Sequence, residues 1–188
     1  GNNSTTNVST PQPVTTSGVL AGKTVTAIAG GAWHSLALTS DGKLYAWGAG
    51  NSGQLGNGGT SDSWVPVAVD MTGALAGKTV KAIASGGYFN LALTTDGQLF
   101  SWGRGNNGQL GNGGTTNSLV PVPVDMTGVL GGRTVTAISA GSDHGLALTS
   151  DGKVYSWGSW LGLGASQTQS SSVPVAVNTC GVLNGATV

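Results

Sequence analysis

The side chains that could do chemistry in this chain are few and scattered. It has two histidines, His34 and His144, and one cysteine, Cys180. A nucleophile, base and acid could be drawn from Ser35, His34 and Asp143, but only their residue types favour such a triad. One cysteine and two remote histidines do not form a cluster of metal ligands. The sequence therefore predicts no catalysis, no metal site and no cofactor.

Two glycine-rich strings, at 48–53 and 103–108, have the spacing that binds the pyrophosphate of a dinucleotide. Each follows a predicted strand, as that fingerprint requires. The fingerprint also needs a helix directly afterwards, and the chain continues with GQLGNGGT instead. We therefore expect these glycines to serve tight loops between strands.

Cysteine and asparagine chemistry leaves alternatives open. Cys180 takes the place of a threonine in a predicted turn. It is either an inert thiol or, in an oxidising compartment, a partner for a cysteine beyond residue 188. Asn2, Asn3 and Asn7 begin three glycosylation sequons. They are candidate glycan acceptors where the source has that machinery, or part of a polar loop.

The elements that would position these residues repeat along the chain. LALTSDGKLYAWG at 36–48 returns as LALTTDGQLFSWG at 91–103 and as LALTSDGKVYSWG at 146–158, a period of 55 residues. A fixed period of this size is typical of a repeat architecture. We divide the single array 1–188 into a partial unit 1–21, repeats 22–76, 77–131 and 132–184 (the last degenerate and two residues shorter), and the start of another repeat at 185–188.

Each repeat predicts four β-strands and no helix. In the first full repeat, residues 24–29, 36–40 and 43–48 have the apolar and aromatic pattern of strands. VPVAV at 65–69 is a fourth strand, at an edge because proline cannot donate to a ladder. Asp-Gly pairs supply the positive φ angles of tight hairpin turns between the second and third strands. They are Asp41-Gly42, Asp96-Gly97 and Asp151-Gly152.

A four-stranded antiparallel sheet of this length is the size of a propeller blade. We therefore predict an all-β chain of about three blades plus partial ones, an incomplete ring, since closure usually takes about 4–8 blades. The chain is then part of a longer polypeptide, or copies of it assemble. Trp47, Trp102 and Trp157 recur at one place in the repeat and are predicted to fill the space between blades.

The repeat resembles a known family. GGAWHSLALTSDGKLYAWGAGNSGQLGNG at 30–58 and GGYFNLALTTDGQLFSWGRGNNGQLGNG at 86–113, each followed by VPV, resemble the repeat of the regulator of chromosome condensation family, in its bacterial type. The resemblance implies a seven-bladed β-propeller. It implies several functions: a eukaryotic member is a nucleotide-exchange factor for a small GTPase and binds chromatin, a plant member senses ultraviolet light through clustered Trp and Arg, and many bacterial members are extracellular.

The distribution of arginine disfavours the light-sensing function, because Trp33 has no adjacent arginine and the chain has only Arg104 and Arg133. Charge is scarce overall: 7% of residues are charged and the formal net charge is zero, against about 25% charged residues in ordinary soluble domains. The sequence has no basic stripe that would predict nucleic-acid binding, and none of its apolar stretches approaches the ~20 residues of a membrane span. A polar, uncharged surface favours an extracellular or cell-surface location.

The positions where the copies disagree are the candidate binding residues. Repeat proteins keep their frame constant and vary the face that meets a partner. The copies differ at 32–35, 87–90 and 142–145, just before the second strand, and aromatic side chains there suit contacts with sugars or proteins. Ordinary drift and packing are the alternative. The candidates are Trp33, His34, Tyr88, Phe89 and His144, with the single-copy Trp64 and Trp160.

Two functions from different classes follow. The first is a non-catalytic structural or interaction module of a secreted or cell-surface repeat protein. Its partner is a protein, a glycan or other copies of the chain. The second is an intracellular exchange factor for a small GTPase, or a signalling adaptor, of the same repeat family. Low charge and the high identity between repeats favour the first.

Overall fold

The computed structural model describes residues 1–159 and 170–177, and in them twelve strands form three four-stranded antiparallel sheets. The predicted all-β class and blade architecture are confirmed. Blade 1 contains β1 (Val25–Gly30), β2 (His34–Thr39), β3 (Leu44–Gly48) and β4 (Ser63–Ala68). Blade 2 contains β5 (Val80–Ser85), β6 (Phe89–Thr94), β7 (Leu99–Gly103) and β8 (Ser118–Pro123). Blade 3 contains β9 (Val135–Ala140), β10 (His144–Thr149), β11 (Val154–Ser159) and β12 (Ser170–Ala176).

Each sheet is a meander in which the strands lie side by side in chain order. The strand that carries the prolines is therefore at an edge, where Pro66 and Pro121 leave no ladder hydrogen bond unmade. Blade 2 lies between the other two, because β1 contacts β5 and β5 contacts β9. The sheets of the described residues do not close a ring.

The Asp-Gly hairpins differ in detail from the predicted turn. Only the glycine has positive φ, +74° at Gly42, whereas Asp41 does not. The amide of Gly42 donates to the Thr39 carbonyl at 2.8 Å, and that of Thr39 donates to the Lys43 carbonyl at 3.0 Å. This is a three-residue hairpin loop rather than a two-residue one. Asp41 is there for its carboxylate, which accepts hydrogen bonds from Thr39 Oγ1 at 2.5 Å and Lys23 Nζ at 2.6 Å.

The hydrophobic core lies between blades. We call the contact of blades 1 and 2 the first seam and that of blades 2 and 3 the second seam. In the first seam the buried leucines of blade 1 pack against Phe100 and Trp102 of blade 2. In the second, those of blade 2 pack against Tyr155 and Trp157 of blade 3. A blade therefore buries its apolar faces only by stacking on a neighbour.

The first residues of the chain pack on blade 1 in the same way as the segment around Gly56 of blade 1 packs on blade 2. A Cβ added to Gly1 would lie 2.8 Å from Nε1 of Trp47, and one added to Gly56 would lie 2.6 Å from Nε1 of Trp102. Leu20, in a short 3-10 turn at Gly18–Leu20, is buried. Trp102 is fully buried between blades, whereas Trp47 is only half-buried.

The same equivalence extends to Asn3, whose amide donates to the Trp64 carbonyl at 3.0 Å, as the amide of Gly58 donates to the Leu119 carbonyl at 2.9 Å. Asn3 has φ +62° and Gly58 has φ +84°. Asparagine is one of the few residues other than glycine that adopt this conformation readily. The three sequon asparagines are exposed, and their glycosylation stays a prediction.

The 3-10 turn is the one helical element among the described residues. These residues contain no helix that is long and apolar enough to span a membrane. Trp160 and Cys180 lie outside the described residues, as do the predicted repeat boundaries at 184 and 185–188. The structure therefore bears on neither the thiol nor the loop tryptophan.

Candidate functional site

One end of the three sheets carries the connections from the first to the second strand of each blade. We call these connections the rim, residues 31–33, 86–88 and 141–143. Backbone hydrogen bonds tie them together across both seams: Ala32 N donates to Gly87 O at 3.1 Å, and Gly87 N donates to Ser142 O at 2.9 Å. A Cβ at Gly86 would lie 2.5 Å from the carbonyl oxygen of Gly141, so glycine permits this close approach.

The rim presents aromatic side chains from blades 1 and 2. Trp33 is 68% exposed. Tyr88 is half-buried, and the guanidinium of Arg104 stands 5.8 Å from its ring centroid, within the range of a cation–π contact. Arg104 Nε also donates to Asn106 Oδ1 at 2.7 Å. This geometry holds the tyrosine and the arginine as one cationic, aromatic patch on blade 2, the blade next to the one that carries the exposed indole.

Blade 3 contributes a carboxylate instead of an aromatic ring. Asp143 Oδ1 accepts from Gln109 Nε2 at 3.2 Å and from Asn107 Nδ2 at 3.4 Å, and both donors lie in the loop that follows β7 of blade 2. The rim therefore changes in character from blade to blade, from indole to tyrosine with arginine to carboxylate. Sequence reasoning missed Arg104, which lies 16 residues after Tyr88 and reaches it only because β6 and β7 pair.

Two of the predicted rim residues are not on the accessible surface. His34 is 4% exposed and Phe89 is 0% exposed. Both begin the second strand of a blade and point into the seam, so a partner at the rim does not reach them. Their burial speaks against direct contact with a partner at the rim, and their role in binding stays a prediction. His144, at the same place in blade 3, is half-buried.

The side chain of His34 makes its hydrogen bond across the first seam and not within its own blade. Its Nε2 lies 2.9 Å from Oδ1 of Asn90, in blade 2. Asn90 Nδ2 donates at 2.8 Å to the carbonyl oxygen of Gln54, which also accepts from Trp102 Nε1 at 3.2 Å. The signal in the sequence was a paired change. One repeat later, Phe89 stands in place of His34 and Gly145 stands in place of Asn90.

Catalytic and nucleotide chemistry find no support in this arrangement. His34 contacts Asn90, and Asp143 contacts the polar side chains of blade 2, so the two members of the notional triad lie in different blades. The described residues contain no group of three or more metal-ligating side chains. A Cβ at Gly53 would lie 2.6 Å from the carbonyl oxygen of Ser118, so the first glycine-rich string packs against blade 2.

Away from the rim, Trp64 is 45% exposed at the start of the edge strand β4. On the opposite end of the sheets, an ion pair between the segment before each blade and the hairpin turn recurs in all three repeats. The pairs are Lys23–Asp41, Lys78–Asp96 and Arg133–Asp151. Hydrogen bonds from Lys23 and then Thr39 hold the pKa of Asp41 at about 2. These pairs are part of the repeated frame, although blade 3 has Arg133 in place of a lysine and a second cation, Lys153, whose Nζ lies 3.9 Å from Asp151.

The repeat can be assigned to a family. The model described as the regulator of chromosome condensation (RCC1) repeat matches residues 41–93 and 96–148, and a second model of the same description matches 25–54 and 80–109. The chain belongs to the RCC1 repeat family. The resemblance seen in the repeated GQLG and Trp-Gly motifs is thereby confirmed, and the family fixes the fold more tightly than the function.

Three similar proteins show the range of the family. The human E3 ubiquitin-protein ligase HERC2 is 42% identical over 144 residues, which are 76% of this chain and 3% of that protein. The ultraviolet-B receptor UVR8 of Arabidopsis thaliana is 39% identical over 160 residues, 82% of this chain and 34% of the receptor. The solved structure of Prp20p from Saccharomyces cerevisiae, described with its binding to Gsp1p and histones, is 26% identical with a TM-score of 0.68 and covers 82% of this chain and 38% of Prp20p. The chain thus spans less than two fifths of each.

Proposed function

We propose that the chain is a non-catalytic module that recognises a protein through the rim, with Trp33 and the Tyr88–Arg104 pair as its contacts. The observation that carries the proposal is the 68% exposure of Trp33 on a frame that buries most of its other large aromatic side chains. An exposed indole supplies a large and rigid contact area when a partner covers it.

The chemistry of the neighbouring groups supports a protein partner. The guanidinium of Arg104 uses Nε on Asn106, which leaves its terminal nitrogens for a carboxylate or a carbonyl of a partner. Tryptophan, tyrosine and arginine are the residues most enriched at the centres of protein interfaces. The described binding of Prp20p to Gsp1p and histones is consistent with the same class of partner for a related repeat.

The test compares rim variants with a variant at the opposite end of the sheets. Proteins retained by the immobilised wild-type chain would be identified and then assayed individually against Trp33→Ala, Arg104→Ala and Val129→Ala. Val129 is an exposed apolar residue (42%) in the segment that joins β8 to β9, at the end of the sheets opposite the rim. We expect each rim variant to weaken binding at least about tenfold and Val129→Ala to leave it unchanged. Equal binding by all four chains would overturn the proposal.

The proposal extends to the location of the protein and to two other kinds of partner, a glycan or a second copy of the chain. We propose a secreted or cell-surface protein, on the ground that only 7% of its residues are charged. Fractionation of source cells with an antibody to the chain tests the location. Binding to a glycan array that Trp33→Ala abolishes would make the partner a sugar, and a concentration-dependent mass in sedimentation would make it another copy.

A second candidate is the intracellular exchange factor or adaptor, which the similarity to Prp20p favours. It makes a separate prediction, since an exchange factor accelerates the release of nucleotide from a small GTPase. Release of a fluorescent nucleotide from a panel of small GTPases, measured with and without the chain, would distinguish it from the first proposal. An acceleration that Trp33→Ala removes would place exchange at the rim.

A further inference from the structure

The two seams carry different chemistry at the same place. In the first seam His34 of blade 1 meets Asn90 of blade 2. In the second seam Phe89 stands where His34 stands one repeat earlier, and Gly145 stands where Asn90 stands. A Cβ at Gly145 would lie 2.5 Å from the ring of Trp157, so that place is occupied by apolar packing. One seam is therefore closed by a polar pair and the other by an apolar one.

The hydrogen bonds of Asn90 fix the protonation of His34. Asn90 Nδ2 donates to the carbonyl oxygen of Gln54, which can only accept, so Oδ1 of the amide faces the histidine. That oxygen also accepts from Ser85 Oγ at 2.7 Å. His34 Nε2 must then be the donor in its 2.9 Å contact, and the neutral ring carries its proton on Nε2. The lone pair is on Nδ1.

Nδ1 of His34 is buried and has no hydrogen-bond partner among the described residues. The polar groups around the ring are the side chains of Asn90 and Ser85, the carbonyl of Gln54 and the backbone of the adjoining glycines, none of which titrates. The elements packed around the ring are β1, β3, β5, β6 and the loop after β3. None of them contributes a charge that stabilises the protonated form of His34. The charged groups at the rim make other contacts: Arg104 lies over Tyr88, and Asp143 accepts a hydrogen bond from Gln109 of blade 2.

We propose that the first seam is sensitive to pH: protonation of His34 at Nδ1 weakens the contact between blades 1 and 2, while the second seam stays closed. The added proton places a charge and an unpaired donor in a buried interface, which is costly without a partner. The seam opens because water can then solvate the charge and accept the hydrogen bond from Nδ1. The proposal does not depend on what the rim binds.

The pH at which this happens follows from the sign of the linkage. Burial lowers the pKa of His34 below its ordinary value of 6.5, and the hydrogen bond to Asn90 opposes that shift only in part. The open state therefore binds the proton more tightly than the closed state. Stability of the seam is fully present above about pH 6.5 and falls as the pH drops below it towards the lower pKa of the closed state. The aspartates of the hairpin turns, whose pKa values lie below 3.8, titrate only in a more acidic range.

Two buried indole groups report on the seams separately. Trp102 Nε1 donates to Gln54 O in the first seam, and Trp157 Nε1 donates to Gln109 O in the second. Both rings are 0% exposed. Because the two N–H groups have the same chemistry, the ratio of their hydrogen-exchange rates cancels the intrinsic effect of pH. NMR would measure that ratio at about pH 7.5 and about pH 5.

We expect the exchange of Trp102 relative to Trp157 to rise several-fold on acidification, with an upper bound of about thirtyfold at pH 5 set by the ordinary histidine pKa of the open state. The variant H34F/N90G gives the first seam the residues of the second and should remove the rise. His34→Gln is the milder control, because its amide still donates to Asn90 and does not titrate. An unchanged ratio in the wild type, an equal gain in both indoles, or a rise that persists in His34→Gln would each overturn the proposal.

Discussion

The indole nitrogen of Trp157 donates a hydrogen bond of 3.0 Å to the backbone carbonyl of Gln109, which lies 48 residues earlier in the preceding blade. Trp102 makes the same bond to Gln54. The GQLG motif of one repeat therefore receives the tryptophan of the next. The repeat in the sequence and the unit of packing are offset, and each blade is completed by its neighbour.

Replacing Trp157 by phenylalanine tests the energy of this link. The change keeps an aromatic ring in the second seam, leaves the Gln109 carbonyl buried without its donor and opens a small cavity. We expect the free energy of unfolding in urea to fall by about 2–4 kcal/mol. Trp47→Phe is the control, because Trp47 is half-buried and should cost clearly less. Equal losses would mean that the bond across the seam contributes little.

Much of the fold could be predicted from the sequence, because the information is local. The strand pattern, the proline of β4 and the Asp-Gly turns each act within a few residues, and the sheet that they form needs only neighbouring segments. The role of Asp41 could not, since it depends on Lys23 reaching the turn from the segment before β1. A turn motif indicates where the chain reverses and does not show which side chain meets it.

The candidate site was harder, since exposure at the rim is decided by how blades dock. Trp33 and His34 are adjacent in the sequence, yet one is 68% exposed and the other 4%. Variation between copies marked both, because a position varies when it meets a partner and also when it meets a different neighbouring blade. The paired change at 34 and 90 distinguishes the two causes, and only the contact across the seam reveals the pairing.

Close packing at the tryptophan predicts a specific cost for a single methyl group. Gly111 has φ +65°, and a Cβ there would lie 2.7 Å from the ring of Trp157; Gly22 has φ +68° and nothing within 4 Å. Gly22→Ala should lose about 1–2 kcal/mol from the left-handed backbone alone. Gly111→Ala should lose about 1–3 kcal/mol more, because the ring must move. Thermal unfolding of both variants measures the difference, and equal melting temperatures would contradict it.

The hairpin aspartates predict a response to acid that is separate from that of His34. The hydrogen bonds of Asp41 to Lys23 and Thr39 hold its pKa at about 2, below the ordinary 3.8. Its contribution to stability is therefore present above about pH 3.8 and is lost as the pH falls towards 2. In Lys23→Met, NMR titration of the carboxyl carbon should show the pKa of Asp41 rising towards 3.8. A value still near 2 would assign the shift to Thr39 alone.

Adjacent rim and core residues predict opposite effects on folding and binding. Tyr88 is half-buried at the rim, whereas Phe89 is 0% exposed in the second seam. Phe89→Ala should lower the free energy of unfolding by about 3–5 kcal/mol, because it leaves a cavity between blades. Trp33→Ala should lower it by less than about 0.5 kcal/mol, as surface substitutions do, and Tyr88→Ala should cost only slightly more. Urea titrations separate the two classes, while binding to the partner should be weakened by the rim variants at temperatures where all are folded. If Trp33→Ala and Tyr88→Ala unfold the chain as Phe89→Ala does, these side chains are core and the rim is not a recognition surface.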